Sequence, residues 1–79
     1  MSNIKRLPKG FIAEFEDFGD GTNNVYLSKQ VNGKEYSGSL TFVEDFGELE
    51  DNGYGYTSSI KVPDSIFKMA YDWAISKGW

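Results

Sequence analysis

The chain has 79 residues, twelve acids against eight bases, a formal charge of −4, and neither histidine nor cysteine. That is room for one small domain, near the lower limit at which a core holds itself together. It excludes disulfide staples, Cys/His zinc centres, a thiol nucleophile and the commonest general base, and the negative balance opposes a simple electrostatic grip on DNA, RNA or anionic lipid.

Residues 1–79 read as a single domain, with 1–8 as a flexible amino-terminal arm. That arm carries positive charge but no apolar run behind it, so it does not read as a signal peptide. No apolar run approaches the ~20 residues that span a bilayer. The expectation is a soluble, cytoplasmic protein, in a host cell if the source is viral. Aromatic side chains supply 16% of the residues; each large ring buries ~150–250 Å², which is how so short a chain can fill a core.

The first strand is expected over 10–17, with Phe11, Ala13 and Phe15 inward and Glu14 and Glu16 outward. Next comes a hairpin about Asn32-Gly33, a pair that favours the positive φ angles of a type I′ turn. A two-residue loop sets Val31 opposite Lys34, Lys29 opposite Tyr36, Leu27 opposite Gly38 and Val25 opposite Leu40. Val25, Leu27, Val31, Tyr36, Leu40 and Phe42 then share one face, and a one-residue slip would ruin both alternations at once. A fourth strand is expected over 54–62, with Tyr54, Tyr56, Ile60 and Val62 on one side. Alternation with one polar face suits an antiparallel sheet covered on one side only.

The cover is the segment from Pro63. Ile66, Phe67, Met69, Ala70, Tyr71, Trp73 and Ala74 recur at helical spacing, with Asp64 near the start and Lys77-Gly78 as a stop. Trp79 falls where such a stop lays an apolar residue against the last turn. The predicted fold class is therefore α+β: a four-stranded antiparallel β-meander with one C-terminal α-helix packed on one face, in the order β-β-β-β-α.

Glu-Asp-Phe-Gly occurs at 16–19 and again at 44–47. In the meander these close the first and third strands, at the end opposite Asn32-Gly33. Glu16, Asp17, Asp20, Glu44, Asp45, Glu48, Glu50 and Asp51 are eight of the twelve acids, and they are expected to gather there. Like charges brought together cost free energy, although turn chemistry alone also calls for Asp and Gly. Neither acidic stretch has the spacing of a calcium loop, no phosphate-binding loop is present, and the kinase Asp-Phe-Gly triplet lacks its surrounding apparatus. No catalytic residue, metal site or cofactor is expected.

The function expected from these features is a small acidic protein-interaction module that binds a basic surface of another protein. Asp17, Asp20, Glu44, Asp45, Glu48, Glu50 and Asp51 would make charged contacts, with Phe46 and Tyr54 as apolar anchors. In size, charge and missing catalysis, though in no motif, the chain is similar to small viral inhibitors of host defence such as anti-CRISPR proteins. Some of these occupy nucleic-acid channels as mimics. The alternatives are a structural homo-oligomer subunit and single-stranded nucleic-acid binding on the open sheet face, where Ile12 and Tyr26 lie.

Overall fold

The computed structural model describes residues 3–51 and 58–79, and for Glu44 the backbone alone. Among them six strands form one antiparallel sheet in sequential order: β1 (Asn3–Arg6), β2 (Ile12–Asp17), β3 (Asn23–Val31), β4 (Lys34–Ser39), β5 (Glu48–Asp51) and β6 (Ser59–Lys61). Two helices interrupt the meander, α1 (Leu40–Phe46) between β4 and β5 and α2 (Asp64–Ser76) at the end. The class is α+β and antiparallel, as the alternation predicts, but four strands and one helix is not the architecture.

The central hairpin shows why the alternation was readable. Val31 pairs with Lys34, Lys29 with Tyr36 and Leu27 with Gly38 across the Asn32-Gly33 turn, where both residues have positive φ. β2 joins β3 with Ala13 opposite Leu27 and Phe15 opposite Val25. Paired side chains share a face, so Ala13, Phe15, Val25, Leu27 and Tyr36 form one apolar surface, and all are buried. The opposite face carries Glu14, Tyr26, Ser28, Gln30, Glu35, Ser37 and Ser39.

α2 supplies the cover through Ile66, Ala70 and Ala74, which are buried in the same cluster, with Phe67, Tyr71 and Trp73 partly buried against it. Asp64 lies in its first turn, where a carboxylate complements the helix dipole. The stop is a Schellman motif: the Gly78 N–H donates to Ile75 (3.0 Å), the Trp79 N–H to Ala74 (3.1 Å), and Gly78 has φ 103°. Trp79 folds back edge-on against Tyr71, 5.5 Å between centroids, and packs on the core as a lid. Met69, expected in the apolar stripe, is exposed.

Three departures from the expected architecture have separate physical causes. Residues 3–6, expected in the arm, pair with β2 as an exposed edge strand with Ile4 opposite Glu14 and Arg6 opposite Ile12. A turn at Pro8–Gly10 makes this return possible, with Lys9 and Gly10 both at positive φ and the Leu7 N–H bonded to the Phe11 carbonyl at 2.8 Å. Secondly, the predicted strand through Phe42 stops at Ser39. Gly38 leaves room for this: a Cβ there would lie a tight 3.2 Å from Val43 Cγ2 and 3.7 Å from Leu49 Cδ2. Without one, α1 can fold back onto β3 and β4 and bury Leu40 and Val43 at i, i+3 spacing. Phe42, placed inward by strand alternation, turns outward instead. Thirdly, the acidic stretch after α1 is not a loop, because Glu48–Asp51 pairs with β4 and β6 as β5. Of the strand expected over 54–62, the described part forms β6 at Ser59–Lys61; Tyr54 and Tyr56 lie outside the described residues.

Candidate functional site: an apolar and acidic groove beside α1

The site begins with how α1 starts and stops. Ser39 occupies the N-cap position, but its hydroxyl donates to Asn24 Oδ1 (3.1 Å) on β3 instead of capping the helix. Gly47, at φ 70°, closes the helix through its N–H to the Val43 carbonyl, and its own carbonyl accepts from the Val62 N–H at 3.0 Å. The seven-residue helix is thus fixed at both ends by the sheet and its flanks. Its buried side is Leu40 and Val43; its outer side is Phe42 and Phe46.

Those two rings are 65% and 73% exposed, the most exposed large apolar side chains among the described residues. One helical turn apart, they lie near parallel, 10° between planes and 6.4 Å between centroids. Beside them an open groove of about 390 Å³ is lined by Ser37 and Ser39 of β4, Phe42, Val43 and Phe46 of α1, and Glu48 and Glu50 of β5. Ser37 is the cross-strand partner of Glu50, so the serines and glutamates lie on the uncovered face of the sheet, whereas Val43 reaches the groove from the core. Glu48 Oε2 accepts a hydrogen bond from Ser59 Oγ at 2.9 Å. Lys61 is opposite Glu48 in the pairing but does not line the groove.

Two features of this region work against folding stability. Exposed phenylalanines forgo the burial that would stabilise them. Asp45 sits in the last turn of α1, beside the negative pole of its dipole, and that turn has no base to offset it.

The structure divides the acids that the sequence places in one patch. Phe46, Glu48 and Glu50 come together in the groove. Asp45 is exposed on α1. Glu16, Asp17 and Asp20 belong to β2 and the β2–β3 connection; this loop shares an end of the sheet with α1, since alternate connections of a meander do, but it does not line the groove. Its acids bond locally: Asp17 Oδ1 accepts from the Gly19 N–H (2.9 Å), and Asp20 accepts from both the N–H and hydroxyl of Thr22. The Thr22 hydroxyl, more than its amide, holds the Asp20 carboxyl below the ordinary carboxylate range. Phe18 is half exposed in the same loop.

Asp51 is different again. It is 4% exposed, on the covered side opposite Tyr36, with Lys34 Nζ 3.7 Å from Oδ2 and Ser58 Oγ 3.5 Å away. Such a carboxylate organises the interior and has little surface to offer a partner. Tyr54 lies outside the described residues, as does the side chain of Glu44. Ser37, Ser39, Phe42 and Val43 of the groove were not among the expected contact residues. Phe42 was missed because period-two alternation assigned it to the core, and its i, i+4 spacing from Phe46 was the available signal.

Among the described residues no group of three carboxylates could hold a metal ion, and no helix is long and apolar enough to cross a membrane. No protein-family model matches the chain, and neither a curated protein nor a solved structure matches it.

Proposed function

We propose that the chain is a small acidic protein-interaction module whose contact surface is the groove beside α1. One observation carries this reading: two exposed, near-parallel phenylalanines line the same groove as two carboxylates. Interfaces concentrate energy in a few large anchors, with polar groups around them fixing orientation. Phe42 and Phe46 are such anchors, while Glu48, Glu50 and the exposed Asp45 select for positive charge. The segment 40–51 holds five acids and no base, so a basic partner surface is favoured and phosphate-bearing partners are repelled.

This differs from a pure charge mimic. Inhibition by imitation of a phosphate backbone would require the carboxylates in one array, and here they are split among a groove, a loop and the interior. The mixed apolar and acidic surface is the better basis for engaging a basic protein, whether or not that engagement inhibits it.

The test is quantitative capture from lysates using the intact chain, in parallel with F42S/F46S and E48K/E50K variants. All four positions are accessible enough for the variants to fold, which thermal melts would check. A partner retained by the wild type and lost with each pair, and weakened by salt, is the expected result. Capture that survives both pairs overturns this reading. Light scattering of the free chain tests the homo-oligomer alternative: a dimer dissolved by F42S/F46S would put a second copy in the groove.

A further inference from the structure

We propose that the side chain seated in this groove is an arginine, carried on an exposed segment of the partner protein. The inference rests on the binding-module reading above and assigns the chemistry of its occupant. Four side chains decide it: Phe42 and Phe46, near parallel, and Glu48 and Glu50.

A group laid flat on one phenylalanine lies parallel to the other, so the rings favour a planar occupant. The carboxylates favour a cationic one. Arginine alone among the amino acids is planar, permanently charged and able to present a fork of N–H donors to a carboxylate. Its weak hydration also lowers the cost of leaving water for an aromatic face, where a guanidinium is attracted to the ring quadrupole. Lysine offers a compact, strongly hydrated point charge that meets the carboxylates and can sit over one ring, as Lys29 does over Phe11 at 4.7 Å. It has no plane to lie flat along two parallel rings, however, and no fork of donors. An aromatic side chain or nucleobase meets the rings, but its neutral donors gain less from the carboxylates than a cation does, and a nucleotide brings phosphate charge toward them. A second copy of this chain is a poor donor: it has a single arginine, Arg6, and carries a net charge of −4 itself.

The experiment uses the full chain with ¹³C-labelled phenylalanine and two probes, the amidated peptides acetyl-Gly-Arg-Gly-Arg-Gly and acetyl-Gly-Lys-Gly-Lys-Gly. The arginine peptide is expected to shift the ring resonances of Phe42 and Phe46 ahead of Phe11 and Phe15. The lysine twin is expected to bind about fivefold more weakly, because it lacks the flat stacking and forked donation of the guanidinium. E48Q/E50Q is expected to weaken the arginine peptide, and F42L/F46L to remove the preference for it. Equal binding of the two peptides, still lost in E48Q/E50Q, overturns the arginine assignment and leaves the module reading intact. Absence of any shift at Phe42 and Phe46 overturns it as well; whether the module reading then survives is decided separately by capture with F42S/F46S. Concentration-dependent mass that R6Q abolishes would keep an arginine in the groove but overturn its assignment to a partner protein, in favour of a second copy.

Discussion

In the first Glu-Asp-Phe-Gly, Glu16 and Asp17 finish a strand, paired with Asn24 and Asn23, and Phe18 opens a tight loop with its N–H on the Thr22 carbonyl at 3.1 Å. In the second, the same three residues complete a helix whose Val43 is fixed in the core. The copies converge only at their glycines, both in the left-handed region at φ 81° and 70°. Four residues therefore specify where the chain must turn, but not what precedes the turn. That is decided by the flanks: Ala13 and Phe15 at spacing two continue a strand, whereas Leu40 and Val43 at spacing three pack a helix into the space over Gly38.

The strongest way to break this comparison is to treat 40–46 as the strand its alternation suggests. In a strand Phe42 would be core and Val43 surface; in α1 the roles are exchanged. Val43→Ala is expected to cost about 2–3 kcal/mol, since it removes buried methyl groups and leaves a cavity beside Leu49. Phe42→Ala, losing an exposed ring, should stay within about 0.5 kcal/mol. Urea melts of the two variants measure both. A Phe42→Ala loss exceeding that of Val43→Ala would restore the strand.

The same reasoning explains what could be read in advance. The β3–β4 hairpin was legible because turn chemistry and two alternations agreed on one register. α2 was legible because its stripe, first-turn acid and glycine stop were mutually consistent. β1 was not, since Asn3–Arg6 is exposed at all four positions and leaves no pattern. β5 was hidden because its one apolar inward residue, Leu49, is followed on that face by Asp51, whose burial depends on Lys34 and Ser58 from other elements. Of the groove, Phe46, Glu48 and Glu50 could be named from the sequence. Their convergence required α1, which packs closely over Gly38, where a side chain would crowd Val43.

A smaller effect sharpens the point at which the two copies agree. At neither Gly19 nor Gly47 does a heavy atom from beyond the adjoining residues lie within 4 Å of the place a Cβ would occupy. Substitution there meets backbone strain alone. Gly19→Ala and Gly47→Ala should therefore each cost about 1 kcal/mol despite their different surroundings. A several-fold difference between them in denaturant melts would show that helix closure adds a penalty of its own at Gly47.

The smallest effect separates how each turn is held. The second copy ends on a backbone hydrogen bond from Gly47 to Val43, which does not titrate. The first is followed by a loop pinned through a carboxylate, with Asp20 drawn below the ordinary range chiefly by the Thr22 hydroxyl and then by its amide. A folded-state value depressed below the unfolded one contributes stability that is complete above the unfolded value. It is lost as pH falls through the folded value. Acidification below the ordinary carboxylate range should therefore loosen residues 18–22 while leaving the end of α1 in place. Thr22→Val removes the larger cause, so a carboxyl ¹³C titration should show the Asp20 midpoint rising toward the ordinary value, while the amide at position 22 keeps part of the depression. An unchanged midpoint in that variant would mean that the hydroxyl does not hold the loop.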